Sequence, residues 1–203
     1  VYIDNFNMYY GVLKKMPKHK WLNLDAWLKT QLPIARYDIQ KIKLFTANIT
    51  APAHDLQRPV RQAMYFRALN TIPTLEIIKG KYKPKTLNIQ VTKTVKIQAS
   101  TFEEKGTDVN LAVHLVNDAH LNKFDVAVVV SNDSDLAEAV AITARDLHKE
   151  VWVINPCLGT PATKLLNKYA THRRDVREAS IQASQFSPTL TDAVGTFTKP
   201  VGW

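Results

Sequence analysis

Val126-Ala127-Val128-Val129-Val130-Ser131-Asn132-Asp133-Ser134-Asp135-Leu136 decides the reading of this chain. Five successive apolar positions leave no polar face, and a β-strand tolerates that only when both of its faces are covered. Such strands belong to parallel sheets, so the run predicts an α/β fold: a three-layer α/β/α sandwich around a mainly parallel central sheet. Working outward, apolar periodicity predicts helices over residues 107–121 and 135–148, a strand over 151–154 and a helix over 162–170. Towards the N-terminus the same reading gives a strand ending at Asp4, helices over 7–15 and 24–32, a strand over 39–49, a helix over 54–69 opened by Ala51-Pro52-Ala53, and a strand over 74–78. Val1 already reads as strand, so the first strand is expected to start before it. Residues 86–98 alternate with period two and are expected to turn back as a hairpin near Thr92 and Lys93. Beyond Arg177 the pattern fades into Ser, Gln, Thr, Pro and Gly, which predicts one domain over 1–175 and an extended tail over 176–203, with Phe197 and Trp203 as docking points.

Length and composition agree with a folded domain. The 203 residues are 45% hydrophobic and 22% charged, enough to bury a core and too apolar for a disordered chain. The lone Cys157 allows no internal disulfide, and no apolar run of about 18 residues suggests a membrane span, so a cytoplasmic location without membrane contact is expected. Net charge is +9, and its distribution matters more: residues 1–95 carry sixteen Lys and Arg against five Asp and Glu, whereas residues 96–203 carry eleven against thirteen. A basic half attracts phosphates and an acid-rich half suits metal ions.

The acids fall where an open parallel sheet binds ligands, just beyond the carboxyl ends of its strands. Asp4 ends the first strand, Asp133 and Asp135 follow the apolar strand, and Asp108 shares a helix face with Leu111, Leu115 and Ala119. Two carboxylates about 4 Å apart repel by roughly 4 kcal/mol at an effective dielectric of 20, so such a cluster calls for a cation between its members. Mg²⁺ or Mn²⁺ suits a site made only of oxygen ligands. Local structure offers competing explanations. Asp133 and Asp135 qualify as helix N-caps with Glu138 completing a capping box, Asp108 as a first-turn acid, and Asp4 as the start of an Asx-turn. The six histidines show no metal-binding spacing, and the polar stripe Asn110, His114, Asn117 is expected to turn His114 towards solvent.

Three motifs in order, Ile3-Asp4-Asn5-Phe6-Asn7, Glu104-Lys105-Gly106-Thr107-Asp108-Val109 and Val130-Ser131-Asn132-Asp133-Ser134-Asp135-Leu136, resemble the NYN domain family, in particular its LabA-like (DUF88) branch within the PIN-like nucleases. The resemblance covers about residues 1–170. It implies a PIN-like sandwich and a Mg²⁺- or Mn²⁺-dependent endoribonuclease leaving 5′-phosphate and 3′-hydroxyl ends. By the same resemblance Asp4, Asp108 and Asp133 are metal ligands and Asp135 a ligand or general-base helper. Asn7 and Ser131 support water or phosphate, and Glu104 lies at the rim. Asn132 stands where many members have Gly, and Leu136 where many have Phe; Asn is the side chain that best accepts the left-handed backbone a Gly would supply.

For the substrate, Lys79, Lys81, Lys83 and Lys85 alternate along an extended stretch as a phosphate rail, with Lys93 and Lys96 nearby, Arg58 and Arg61 adding charge, and Lys105 close to Asp108. Lysines contact the phosphate backbone rather than base edges, which predicts salt-sensitive binding of weak sequence preference. Tyr82 or Tyr65 is expected to stack an unpaired base. RNA is the expected partner, with DNA and homodimerisation left open. The alternative is a non-catalytic RNA-binding or regulatory adaptor with a degenerate site.

Overall fold

The computed structural model describes the backbone of residues 1–51, 54–90 and 96–203, and side chains there except at 82–85, 88, 89, 96 and 99–104. Pro52 and Ala53 of the Ala-Pro-Ala opening of the third helix, the turn at Thr92 and Lys93, and the side chains of Tyr82, Lys83, Lys85, Lys96 and Glu104 lie outside the described residues.

A six-stranded, wholly parallel sheet forms the middle layer. Its strands are β1 (Tyr2–Asp4), β2 (Ile42–Thr46), β3 (Leu75–Lys79), β6 (Val126–Val130), β7 (Glu150–Asn155) and β8 (His172–Asp175), in the order β3-β2-β1-β6-β7-β8. The chain winds one way from β1 to β3 and the other way from β6 to β8, so strand order reverses between β1 and β6. That is the doubly wound arrangement, whose ligand crevice opens at the reversal.

The apolar run of β6 behaves as its composition demands. Val128 and Val130 enter one core with Ile3, Leu44, Trp152 and Ile154, while Ala127 and Val129 enter another with Tyr2, Phe45, Val151 and Val153. The first face is covered by α1 (Asn5–Met8), α2 (Leu24–Gln31) and α3 (Arg58–Leu69), the second by α4 (Thr107–His120), α5 (Ala137–Ala141) and α6 (Lys164–Lys168). The three-layer α/β/α sandwich is therefore present.

Several elements differ from expectation. The helix expected over 7–15 is α1 followed by a π-helical turn, Tyr9–Leu13. That expected over 135–148 divides into a 3₁₀ turn, Ser134–Leu136, then α5, then a π-helical turn, Ile142–Asp146. There the Thr143 hydroxyl donates to the Ala139 carbonyl at 2.8 Å, competing with the regular ladder. Helix α3 starts at Arg58 because Pro59 fits only the first turn. The alternating residues form β4 (Lys81–Gln90) and β5 (Lys96–Lys105), an antiparallel ribbon apart from the main sheet.

The segment read as an extended tail instead forms α7 (Glu178–Ala183) and the hairpin β9 (Thr189–Asp192) and β10 (Gly195–Thr198). Arg67 of α3 holds the hairpin through a bidentate pair with Asp192, 2.7 and 2.8 Å, and lies 4.1 Å from the centre of the buried Phe197 ring. Trp203 packs on Tyr65 and donates its indole N–H to the Lys20 carbonyl at 3.0 Å.

Candidate functional site

Asp4 is the last residue of β1, Asp108 lies in the first turn of α4, and Asp133 follows β6. One carboxylate oxygen from each lies within 4.8 Å of the other two. The three meet at the carboxyl ends of β1 and β6, where strand order reverses. Asp4 is buried and the other two are half-buried.

Local structure and convergence both operate here. The Asp4 side chain caps α1, its Oδ1 accepting the Asn7 backbone N–H at 3.0 Å, while its Oδ2 accepts from Asn7 Nδ2 at 2.8 Å and Ser131 Oγ at 3.0 Å. Asp133 caps the following 3₁₀ turn, its Oδ1 accepting the Asp135 N–H at 3.0 Å. Asp108 sits two residues after Gly106, whose φ of +91° is a left-handed conformation that glycine adopts without strain. Caps alone do not explain why three carboxylates share one spot.

A carboxylate has about four lone-pair sites, and the three donors to Asp4 leave one of them for a further ligand. Burial holds the Asp4 carboxyl above its usual range; the bonds from Asn7 and Ser131 oppose this and the nearby Asp133 charge reinforces it. A donor set of three carboxylates is hard and anionic, and so fits Mg²⁺ or Mn²⁺ rather than a metal that seeks nitrogen or sulfur.

Asn7 and Ser131 organise this site. Asn7 binds Asp4 and also accepts the Asn132 N–H at 3.1 Å; the wholly buried Ser131 donates to Asp4 and accepts the Asp133 N–H at 3.1 Å. Asp135 is exposed and lies outside the trio, beside a shallow groove with Val113, Val116 and Ile142. No side chain caps α5, so the Asp135–Glu138 capping box is not formed.

Asn132 does not use the left-handed backbone that Asn tolerates. Its amide instead ties the β6 loop to the segment before α6: Nδ2 donates to the Pro161 carbonyl at 3.2 Å, and Oδ1 accepts the Thr163 N–H at 2.7 Å. His114 is half-buried: it packs in a T-shaped contact with Phe45, with Lys43 Nζ at 3.1 Å from its Nδ1. Tyr65 cannot stack a base, because it is buried, donates to the Leu22 carbonyl at 2.9 Å and is covered by Trp203.

Among the basic candidates, Lys79 ends β3 with its ammonium 5.2 Å from the Phe66 ring centre, and Lys81 is exposed at the start of β4. In the ribbon, Lys83 and Lys85 take the register positions opposite Glu103 and Thr101. Arg61 pairs with Asp55, and together with Arg58 it depresses Lys20 further than burial alone does. Lys105 is exposed at the end of β5, three residues before Asp108.

Two positions that organise the site escaped the sequence reading. Buried Asn155, at the end of β7, accepts the Cys157 N–H at 2.9 Å and donates to the Thr160 carbonyl at 2.9 Å, fixing the loop beside the acids. Its place at a strand's carboxyl end was the available signal. Gly11 carries no such signal: a Cβ there would lie 2.8 Å from the Pro156 oxygen and 2.9 Å from Cys157 Sγ, so only glycine admits that loop.

Comparison with known proteins gives a fold and a family. A Vibrio parahaemolyticus protein of unknown function, VPA0982, superposes with a TM-score of 0.53 at 16% identity, covering 87% of this chain and 91% of that one. The 6-hydroxy-3-succinoylpyridine 3-monooxygenase HspA of Pseudomonas putida is 28% identical over an alignment 240 positions long, gaps included, that spans all of this chain and 74% of the relative. The model of the NYN domain matches residues 1–173, and with the sheet order and acid cluster described above this chain is a member of the NYN domain family.

Proposed function

We propose that the protein is a metal-dependent ribonuclease of the LabA-like branch that hydrolyses RNA phosphodiester bonds. The observation that carries this reading is the meeting of Asp4, Asp108 and Asp133 at the reversal of strand order. A divalent cation held there supplies charge neutralisation for the phosphate and a more acidic water. In this reading the three carboxylates are its ligands, Ser131 and Asn7 hold Asp4 at the required angle, and Asp135 assists proton transfer from the rim. The rail of Lys79, Lys81, Lys83 and Lys85, with Arg58, Arg61 and Lys105, draws the RNA backbone in. Residues 1–175 carry the activity and residues 176–203 brace them.

The test is cleavage of end-labelled single-stranded and hairpin RNA, with matched DNA, in Mn²⁺ or Mg²⁺ with and without chelator, comparing the native chain with Asp133→Asn. Cleavage that vanishes with both chelator and substitution is expected. RNA bound but never cut selects the adaptor reading instead, and equal cleavage by Asp133→Asn removes the carboxylate argument.

The name of the Pseudomonas relative favours a second reading, a monooxygenase acting on a hydroxylated pyridine. Oxygen consumption with 6-hydroxy-3-succinoylpyridine and a two-electron donor tests it. An all-carboxylate cluster supports the nuclease reading better than the two-histidine, one-carboxylate set common in iron oxygenases.

A further inference from the structure

An open pocket of about 310 Å³ lies beside the acid cluster and shares Asn7 with it. Phe6, Asn7 and Tyr10 form one wall, Cys157 and Thr160 the other, and Lys15 stands at its edge. Asn7 is common to both sites: its Nδ2 binds Asp4, while its Oδ1 lies 3.8 Å from Cys157 Sγ. The far wall is fixed rather than loose. Asn155 anchors it from below, Gly11 admits it at backbone contact, and Lys15 Nζ donates to the Leu158 carbonyl at 2.7 Å.

The volume lies at the bottom of the range for small-ligand sites, about 300–1,000 Å³, so the cavity takes one ring system. Its lining offers aromatic surface, an amide, a thiol and a hydroxyl, with a cation at the edge and no carboxylate. Tyr10 remains 51% exposed, in a T-shaped contact with Tyr9 and with Lys14 Nζ over one face of its ring, 5.2 Å from the centre. A half-exposed aromatic ring with lysines beside it suits a flat base attached to a phosphate.

We propose that this cavity receives one unpaired base of a single-stranded nucleic acid, stacked on Tyr10, while the adjoining phosphate lies at the acid cluster. The proposal rests on the nuclease reading for that phosphate and adds to it a place for the neighbouring base. A paired base reaches the cavity only by unstacking, which biases the site against duplexes.

The test is binding of a short fluorescein-labelled RNA of mixed sequence, single-stranded or annealed to its complement, on an Asp133→Asn background so that no strand is consumed. Tyr10→Ala is expected to weaken single-strand binding roughly 5- to 100-fold and leave duplex binding unchanged, while Tyr10→Phe retains affinity. In the protein with Tyr10 intact, 2-aminopurine placed at successive positions is expected to be quenched at one of them. Unchanged single-strand affinity in Tyr10→Ala, or equal loss for single strand and duplex, overturns the proposal. The two readings separate cleanly: Tyr10-dependent binding without Mn²⁺-dependent cleavage keeps the base site and removes the nuclease. Cleavage without Tyr10 dependence does the reverse.

Discussion

At the scale of single residues, the site depends on side chains that hold the carboxylates as much as on the carboxylates. Ser131→Ala removes one donor to Asp4 and the acceptor of the Asp133 N–H, both buried or half-buried. It is expected to lower the unfolding free energy by about 1–3 kcal/mol, measured by urea titration, and to weaken metal-dependent cleavage. Burial and the Asp133 charge hold Asp4 high, so its ionisation costs stability as pH rises through that raised value, and a bound cation offsets the cost. Mn²⁺ is accordingly expected to raise the melting temperature at pH 7, with the gain absent in Asp133→Asn. Asp118 has the opposite sign. Burial works to raise it, yet hydrogen bonds from Lys43, Tyr2 and Lys123 outweigh burial and hold it low. Its contribution is therefore full above about pH 4, the unfolded value, and is lost as pH falls through the lower folded value. Asp118→Asn is expected to flatten the acid limb of a stability profile. Lys43→Met, leaving a 3% exposed carboxylate without its closest cation, should cost about 3–5 kcal/mol, recovered in part by adding Asp118→Leu. Asp4, Asp108 and Asp133 were legible because strand ends and helix starts are visible in a sequence. The partner of Asp118 was not, since nothing local relates position 118 to position 43.

At the scale of elements, legibility followed burial. Strand β6 announces itself because both faces are apolar, whereas β8 reads His172-Arg173-Arg174-Asp175 and looks like a loop. As an edge strand, β8 carries charges that discourage pairing with another chain. The C-terminal segment was hidden for a different reason: its short helix and hairpin have little periodicity of their own and take their form from Trp21, Trp27 and Arg67. Trp21 Nε1 donates to the Ser187 carbonyl at 2.9 Å and Trp27 Nε1 to Ser180 Oγ at 3.3 Å. Phe197→Ala is expected to cost about 3–5 kcal/mol, read from thermal or urea unfolding. A chain ending at Arg177 should melt at a lower temperature than the full chain; equal melting temperatures would show that the segment braces nothing.

At the scale of the whole molecule, the uneven charge is the feature most accessible to a single titration. If the basic half contacts RNA, log affinity falls linearly with log salt, with a slope of about −0.7 for each phosphate neutralised on a single strand. Neutralising Lys79 and Lys81 together should make that slope shallower by about one to two. The alternation of strands and helices gave away the layers, and the reversal of strand order made the acids meet; but which helix covers which face follows from three-dimensional packing that no local pattern records. The central place of β1 also governs the order in which this molecule comes into being. Asp4 emerges from the ribosome more than a hundred residues before Asp133, which follows β6. During synthesis β1, β2 and β3, with most of the positive charge, are available before β6 exists. On the nuclease reading, a nascent chain can hold RNA well before it can cut it, and the messenger from which it is being translated is already close at hand while the blade is still unassembled.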